Sequence, residues 1–369
     1  MRLDRKAFGR IATTFVATAM LAAFAAVPAM AAEPAANEFV IPKTFTVAAN
    51  TFRPAADFRF TVAAANVTAE ENGYYNGIEG AVKLKTPASF AAETSNTPSS
   101  TPTSMTANAT FEVTFGQGGI THAGTYKYTL KEDASSPVAG VTYDTNTYDL
   151  YVVVVNEDTA PNKLKVQSVF MTNHKEGTQA TGETKVIGIT NTYGNTTGGA
   201  NTLTLTKVID GKGADKSAAY DFTIKITSSS PATTKYYYET SDGQEKGVIT
   251  SGDTGVTVTL SNDERVTVYG LLDNDTYEIA ETNANADQYT TTVKMENDSD
   301  YTDYTDALTG KMSTADTDND DNVDITVKNF RDLDDIPTTG VLLNVAPYAL
   351  MVIIAAAGCF VFLRKRRDD

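Results

Sequence analysis

Short runs in which apolar and polar residues alternate fill most of the chain between residues 37 and 331. Alternation with a period of two is typical of a β-strand, in which successive side chains point to opposite faces. The runs are rich in Thr, Val, Tyr and Ile, and Gly, Asn and Asp separate them. No long stretch of this region has a helical period. The pattern therefore predicts an all-β fold made of two β-sandwiches in tandem.

A polar segment, residues 195–200 (NTTGGA), divides this region into two predicted domains, 37–194 and 201–331. The segment has no large apolar side chain and suits a flexible linker. A weak internal repeat supports the division. Each half opens with a strand that contains a lysine and continues with a tyrosine-rich strand that ends in glutamate. Each half then closes with a strand that contains an asparagine.

A lysine interrupts the apolar row of the strand LTLTKVI, residues 203–209. Lysine is almost never fully buried without a partner, so its place in that row needs an explanation. Period-two parity puts one Lys, one Glu and one Asn of each half on the apolar face of a strand. These residues are Lys43, Glu132 and Asn191 in the first half and Lys207, Glu281 and Asn329 in the second. By the same parity Asn191 shares its face with Ile187, whereas Glu278 lies on the face opposite to Glu281.

These polar residues have two ordinary explanations: strand ends that reach solvent, or buried Lys–Glu ion pairs. Three of them on an apolar face, found twice in the same order, argue against the first, and an ion pair leaves the asparagine unexplained. An intramolecular amide bond uses all three. Burial favours a neutral, nucleophilic lysine amine and a protonated glutamic acid that can transfer protons. The fold holds the amine against the carboxamide, which compensates for the low reactivity of an amide, and ammonia leaves.

Both ends of the chain have the composition of targeting segments. Residues 1–31 combine a basic start, an apolar run and an Ala-x-Ala cleavage site, which predicts a secretory signal peptide. Residues 341–363 are apolar and long enough for a transmembrane helix, and a basic cytoplasmic tail, 364–369, follows them. The one cysteine, Cys359, lies in that apolar stretch. The exported region between the two ends therefore has no thiol with which to form a disulfide.

The exported region is strongly acidic, because the whole chain has a formal net charge of −16 and both ends carry excess positive charge. Such a surface disfavours nucleic acid as a partner, since phosphate binding needs clustered Lys and Arg. An acidic run from Asp316 to Asp324 begins like a calcium loop but lacks its Gly and its final Glu. An acidic hairpin turn is the favoured interpretation over calcium binding. No metal ligand and no cofactor is assigned, and neither His122 nor His174 is given a role.

Sequence stretches in both halves resemble a known family. GTYKYTLKEDASSPVAGVTYDTNTYDLYVVVV and ITNTY in the first half resemble the isopeptide-linked domain of streptococcal-type backbone pilins. TLTKVIDG, DTYEIAETNANADQY and VKNF make the second half similar to the B-type domains of pilins and collagen adhesins. The resemblance implies two tandem immunoglobulin-like β-sandwich domains. It also implies amide bonds between first and last strands, Lys43–Asn191 and Lys207–Asn329, catalysed by Glu132 and Glu281.

A five-residue motif directly before the apolar stretch resembles the sortase sorting signal of Gram-positive surface proteins. It consists of Ile336, Pro337, Thr338, Thr339 and Gly340. Ile336 stands where the signal usually has Leu. The resemblance implies that a sortase, of the pilin or the housekeeping type, cleaves after Thr339. The sortase would then transfer Thr339 to a peptidoglycan amine or to a lysine of another copy, which leaves the protein on the cell surface, anchored to the wall.

Together these features predict the backbone subunit of a sortase-assembled pilus (fimbria) that supports adhesion. Its expected partners are sortase, other copies of itself, minor pilins and peptidoglycan, and a host surface molecule is a candidate ligand. The alternative is a monomeric, wall-anchored adhesin that uses the two domains as a stalk. A surface enzyme is disfavoured, because the sequence shows no catalytic constellation beyond the two self-crosslinking triads, and each of these reacts only once.

The lysine that would accept the next subunit must be exposed. In the pilins that this chain resembles, it lies shortly before the crosslinking asparagine, where this chain has Lys185 and Lys175. Lys185 begins a predicted strand, from which a long side chain can reach solvent, and it is ranked above Lys175. Lys163, on a predicted loop, is a third candidate, whereas Lys43 is excluded because the internal bond uses it.

Overall fold

The computed structural model describes residues 35–67, 73–157, 163–174, 184–194, 201–230, 234–296, 298–312 and 322–332. Every regular element in these ranges is a β-strand, which confirms the predicted all-β fold. The chain divides into two compact units, and the main boundary falls between Tyr193 and Gly194. Two short segments that precede this boundary, Ala48–Phe52 and Thr94–Thr101, group with the second unit.

The first unit is built from two β-sheets. Its strands are β1 (Glu38–Val47), β2 (Ala56–Ala64), β3 (Tyr74–Asn76), β4 (Val82–Thr86), β5 (Ala88–Phe90), β6 (Thr103–Val113), β7 (Gly124–Asp133), β8 (Val141–Thr142), β9 (Thr147–Asn156), β10 (Leu164–Asn173), β11 (Lys185–Val186) and β12 (Ile189–Tyr193). One sheet has the strand order β4-β6-β1-β12-β8. The other has the order β11-β10-β9-β7-β2-β5, and β3 pairs with β7.

Aromatic side chains from both sheets fill the space between them. Phe45 of β1 is fully buried, and its ring centroid lies 5.0 Å from that of Phe58 on β2 and 5.3 Å from that of Phe90 on β5. Offset and edge-on contacts at such distances are favourable between aromatic rings. Every second residue of β1 is buried, so the apolar row that holds Phe45 carries Lys43 into the same core.

The second unit also consists of two sheets. Its strands are β13 (Asn201–Asp210), β14 (Ala219–Thr227), β15 (Lys235–Thr240), β16 (Lys246–Thr250), β17 (Val256–Ser261), β18 (Arg265–Leu271), β19 (Thr276–Glu281), β20 (Thr290–Met295), β21 (Thr302–Asp303), β22 (Leu308–Lys311) and β23 (Val323–Phe330). The sheet orders are β16-β15-β18-β13-β23-β20-β21 and β17-β14-β19-β22. Aliphatic side chains such as Leu205, Ile224, Val268 and Ile325 form much of the core between them.

The first and last strands of the first unit lie side by side and run parallel. In the pairing of β1 with β12, Lys43 lies opposite Ile189 and Phe45 lies opposite Asn191. The asparagine is therefore two positions further along than the residue opposite the lysine. Because a step of two keeps the face of a strand, Lys43 and Asn191 both point into the core.

The second unit repeats this arrangement with the same offset. β13 pairs in parallel with β23, so that Lys207 lies opposite Val327 and Ile209 lies opposite Asn329. Parallel neighbours cannot be joined by a hairpin, and in each unit the rest of the chain between the two strands forms the connection. The ends of each unit are thus brought together only by the completed fold.

The predicted place of Ile187 in the apolar row is wrong. Its side chain is 77% exposed, because the chain changes sheets at this point: β11 pairs with β10, whereas β12 pairs with β1. The crossing brings Gly188 close to β1, where a Cβ atom would lie 2.9 Å from the carbonyl oxygen of Pro42. The alternating run 185–193 is therefore two strands in two sheets instead of one.

Several predicted segments lie outside the described residues. These segments are the signal peptide 1–31, the linker 195–200, the sorting motif 336–340, the apolar stretch 341–363, the tail 364–369, Lys175 and the acidic residues Asp316 to Asp321. Within the described ranges no helix is long and apolar enough to cross a membrane.

Candidate functional site

Three polar side chains of the first unit meet in the core between its sheets. Lys43 of β1 donates from Nζ to Oδ1 of Asn191 on β12 at 2.6 Å. The same Nζ lies 2.9 Å from Oε1 of Glu132, which β7 carries in the facing sheet. Asn191 donates from Nδ2 to that Oε1 at 2.8 Å. The exposed fractions of Lys43, Glu132 and Asn191 are 0%, 6% and 1%, so the three groups contact one another and almost no water.

The second unit brings together the same residue types. Nζ of Lys207, on β13, lies 3.0 Å from Oε1 and 2.9 Å from Oε2 of Glu281, on β19. Asn329 of β23 donates from Nδ2 to Glu281 Oε1 at 2.6 Å. All three side chains are buried. Glu278, which parity put on the opposite face, instead pairs with Lys225 at 2.7 Å, where both side chains are partly exposed.

In both units a single carboxyl oxygen, Oε1, contacts the lysine nitrogen and the amide nitrogen. The amine must lose a proton to become a stable amide, and the amide nitrogen must gain one to leave as ammonia. A carboxyl oxygen within hydrogen-bond distance of both can carry the proton from one to the other. Each cluster therefore holds a nucleophile, an electrophile and a proton carrier for a transamidation.

Burial lowers the pKa of both lysines from the ordinary value of 10.5 to about 8. Loss of hydration disfavours the ammonium form, and the neighbouring glutamate opposes this effect only in part. Aromatic rings surround the amines: Nζ of Lys43 lies 5.0 Å from the ring centroid of Phe58, and Nζ of Lys207 lies 4.3 Å from that of Tyr220. A ring attracts the ammonium weakly and does not replace its hydrogen bonds to water. At pH 7 roughly one amine in ten is then neutral.

The two amide oxygens have different surroundings. Oδ1 of Asn191 accepts from Lys43 and also from the backbone N–H of Asp144, at 3.0 Å. The same N–H lies 3.1 Å from Oε2 of Glu132. In the second unit Oδ1 of Asn329 is buried, and no atom of the described residues donates a hydrogen bond to it. The backbone donor in the first unit comes from a loop and was not foreseen from the sequence.

A further buried ion pair, also missed by the sequence reasoning, lies in the first unit. Nζ of Lys127 is 3.1 Å from Oδ2 of Asp149, and Nδ1 of His174 is 2.7 Å from Oδ1 of the same carboxylate. Lys127 lies between the inward-facing Tyr126 and Tyr128, so its parity predicts an exposed side chain, yet it is 1% exposed. The signal available in the sequence was Asp149 within an otherwise apolar strand. The contacts described for this cluster involve two cationic or basic side chains and one carboxylate, so it differs from the two triads.

The candidate acceptor lysines are at the surface where the structure describes them. Lys185 begins β11 and is exposed, and its Nζ lies 5.4 Å from the ring centroid of Phe170. Lys163, directly before β10, is exposed, and its carbonyl oxygen accepts from the N–H of Glu157 at 2.7 Å.

No described group of three or more His, Cys, Asp or Glu side chains is arranged to hold a metal ion. Of the acidic run, Asp324 is described, and it is exposed on β23. His122 lies 3.0 Å through Nδ1 from the hydroxyl of Tyr126, a contact that supports its loop.

Two family matches divide the chain as the two units do. Residues 39–194 match the family described as "Spy0128-like isopeptide containing domain". Residues 201–329 match a "Domain of unknown function (DUF7601)". The first match covers Lys43, Glu132 and Asn191, and the second covers Lys207, Glu281 and Asn329.

The chain is also similar to pilins over most of its length. It is 29% identical over 327 residues to a protein of Streptococcus pyogenes serotype M1 called "Pilin", which covers 87% of this chain and 88% of that protein. The crystal structure of the major pilin from Streptococcus pyogenes aligns with a TM-score of 0.54 and 20% identity, over 80% of this chain and 99% of that one. The major pilin T3.2 of the same species aligns with a TM-score of 0.54 and 22% identity, over 80% and 99%. Residues 39–194 therefore match the Spy0128-like isopeptide containing family, and the chain is similar to streptococcal pilins over most of its length.

Proposed function

We propose that this protein is a structural subunit of a covalently polymerised, cell-wall-anchored pilus, in which a Lys–Asn amide bond locks each domain. The observation that carries the proposal is the recurrence of one buried Lys–Glu–Asn set between the first and last strands of both units. The similarity to streptococcal pilins over most of the chain supports the pilus and its location on the cell surface. The motif 336–340 supports sortase as the enzyme that joins subunits to one another and to peptidoglycan.

The amide bond forms by attack of a neutral lysine amine on the side-chain carbonyl carbon of asparagine. A new C–N bond forms between Lys43 Nζ and Asn191 Cγ, and the bond from Cγ to Nδ2 breaks. Glu132 takes a proton from Nζ and gives one to Nδ2, which leaves as ammonia. Lys207, Asn329 and Glu281 react in the same way. The fold supplies the proximity that an unactivated amide requires, which corresponds to effective molarities on the order of 10⁵ M or more.

The position of these bonds suits a subunit that bears tension. A shaft under load is pulled through the start and the end of each domain. In each unit the first and last strands are parallel neighbours, and the proposed bond joins them directly. A pulling force applied to β1 and β12 is then carried by the covalent bond between these strands. The strands that lie between β1 and β12 in the sequence are not pulled apart.

The first prediction concerns mass. The exported chain, residues 32–339, should weigh about 34 Da less than its sequence, because two amide bonds each release one ammonia. Intact-mass spectrometry in denaturant measures this difference. A mass equal to that of the unmodified sequence would rule out both bonds.

Matched glutamate variants identify the proton carriers. Glu132→Gln and Glu281→Gln should each lose one bond, so that their masses lie only about 17 Da below those of their own sequences. Glu278→Gln is the control, because Glu278 lies on the same strand as Glu281 but pairs with Lys225 at the surface. It should retain both bonds.

The second prediction concerns pH. Chain that is refolded by dilution from denaturant should form its bonds faster as the pH rises towards 8, by about tenfold between pH 6 and pH 7. The sign follows from the lowered pKa of Lys43 and Lys207, since only the neutral amine attacks and its fraction grows until the pH passes about 8. Mass spectrometry of quenched samples gives the rates, and circular dichroism checks that folding is complete first. A rate that keeps rising about tenfold per pH unit well beyond pH 8, towards the ordinary lysine pKa of 10.5, would contradict the proposed role of burial.

The third prediction concerns stability. Lys207→Met keeps most of the side-chain volume but removes the bond that closes the loop from 207 to 329. By analogy with disulfides that close loops of this size, the second unit should lose about 4–5 kcal/mol of unfolding free energy, with or without reductant. Lys207→Met also leaves the buried carboxyl group of Glu281 without its cation, which destabilises on its own. The double variant Lys207→Met/Glu281→Gln removes both groups, so a loss that remains in the double variant reports the bond. Lys225→Met is the surface control, with an expected change within about 0.5 kcal/mol. Equal denaturant unfolding curves for Lys207→Met and wild type would show that no bond braces the fold.

The fourth prediction concerns polymerisation. In cells that carry the cognate sortase, Lys185→Arg should abolish the ladder of high-mass species on denaturing gels, while monomer still reaches the wall. Arginine keeps the charge and length but is not a nucleophile at this pH. Lys163→Arg is the exposed control and should leave the ladder intact. A ladder that persists when Lys163, Lys175 and Lys185 are all replaced would contradict this placement, and no ladder from the wild type would favour the alternative, a monomeric wall-anchored adhesin.

A further inference from the structure

The loop between β8 and β9 directs a backbone N–H into the first Lys–Glu–Asn cluster. The nitrogen of Asp144 lies 3.0 Å from Oδ1 of Asn191 and 3.1 Å from Oε2 of Glu132. Both oxygens belong to groups that the proposed transamidation uses. A backbone N–H does not titrate, so this donor is present at every pH.

The side chain of Asp144 holds the loop in the shape that aims its own N–H. Oδ1 accepts from the backbone N–H of Asn146 at 2.7 Å, which closes an Asx turn. Oδ2 accepts from the hydroxyl of Tyr148 at 2.6 Å, which ties the turn to β9. Burial raises the pKa of Tyr148 to about 12, so the phenol stays a donor.

The residue before the turn is also fixed. The ring of Tyr143 lies 5.7 Å from that of Phe58, centroid to centroid, and Phe58 is itself part of the wall around Lys43. The hydroxyl of Tyr143 accepts from the backbone N–H of Val138 at 2.9 Å. The peptide between Tyr143 and Asp144 is therefore held from both sides.

We infer that Asp144 is a positioning residue for the first amide bond and acts through its own backbone N–H; this inference rests on the proposed crosslinking reaction. When Lys43 Nζ attacks Asn191 Cγ, the electron pair of the C=O bond moves onto Oδ1. A donor already aimed at Oδ1 stabilises the negative charge where it develops. As the intermediate collapses, the C=O bond re-forms, the bond to Nδ2 breaks, and Glu132 delivers the proton with which ammonia leaves.

The same N–H selects the orientation of the carboxamide. A donor faces Oδ1 favourably and Nδ2 unfavourably, because Nδ2 carries only hydrogens. The nitrogen that must leave is thereby kept beside Oε1 of Glu132, 2.8 Å away. Asp144 thus supports both the electrophile and the departure of ammonia.

Among the described residues, the second cluster has no such donor. Oδ1 of Asn329 is buried without a hydrogen-bond partner in the described part of the chain, although Lys207, Glu281 and Asn329 match their counterparts in type and burial. Negative charge that develops on this oxygen would therefore meet no backbone donor already aimed at it among the described residues. We therefore expect the first bond to form faster than the second.

The test follows each bond separately in the full exported chain, residues 32–339. The chain is refolded from denaturant, quenched at intervals and digested, and mass spectrometry quantifies the crosslinked peptide of each domain. In the wild type the first bond should form about tenfold faster than the second or more, since single oxyanion donors are worth factors of about 10² to 10³. In Asp144→Ala the first bond should slow by about tenfold or more, and the second should keep its rate.

Two further variants separate positioning from charge and from general damage. Asp144→Asn keeps an oxygen that can close the turn and should react near the wild-type rate. The negative charge of Asp144 raises the pKa of Lys43, so its removal favours the neutral amine, and lost charge alone would not slow the reaction. Asp242→Ala removes an exposed aspartate whose Oδ1 accepts from the N–H of Gln244 at 3.0 Å in a similar turn. It should change neither bond.

The outcomes distinguish this inference from the proposed function. Wild-type chain that forms neither bond contradicts the proposed function itself. Wild-type chain that forms both, with Asp144→Ala as fast as wild type at the first bond or with the second bond as fast as the first, overturns the inference alone. Melting of each variant in an Asn191→Ala background, which has no first bond, shows whether the domain still folds. If Asp144→Ala does not fold, Tyr148→Phe replaces it and should slow the first bond in the same direction, and an unchanged rate overturns the inference.

Discussion

The burial of an amine between two sheets is the constraint on which both units depend. Lys43 and Lys207 are fully buried, and an isolated ammonium in such a place would be strongly unfavourable. Two features reduce this cost. Burial lowers the pKa of each amine, and a glutamate from the facing sheet contacts each amine. A carboxyl group so placed must itself be satisfied, and the amide N–H of the asparagine does this. The three residue types therefore occur together because none is tolerable in the core alone.

Because the first and last strands of each unit pair in parallel, the polar cluster lies where the proposed bond would join the two ends of the domain. The offset of two between Lys and Asn is the same in both units. In the first unit it brings Nζ of Lys43 to 2.6 Å from Oδ1 of Asn191, and in the second unit Lys207 and Asn329 both contact Oε1 of Glu281. Because the two strands come from opposite ends of each domain, their contact forms only when the rest of the sandwich is complete. The reactive geometry is thus a property of the native state, and an unfolded chain would leave the amide inert.

Period-two parity predicted much of the fold and the six cluster residues, because a Lys, Glu or Asn in an apolar row is visible in the sequence. It failed where the chain departs from one regular strand. Ile187 continues an alternating run in sequence but sits at a crossing between sheets, where backbone direction decides its exposure. Alternation along β7 predicts that Lys127 points to solvent. Its side chain is instead buried and forms an ion pair with Asp149. The N–H of Asp144 carries no side-chain signature at all, since every residue except proline has one.

The two clusters contain the same three residue types but differ in the loop next to the amide oxygen. Residue identity determines which atoms can react, and loop geometry determines which donors face the amide oxygen. Both units contain the same nucleophile, proton carrier and electrophile, so both have the atoms that the proposed reaction consumes. They differ at the amide oxygen, which a turn between β8 and β9 supports in the first unit and no described residue supports in the second. The strands that place the reacting groups have the same arrangement in both units. The loop that provides the backbone donor to the amide oxygen is described in the first unit only. Two domains with the same triad can therefore perform the same reaction at different rates.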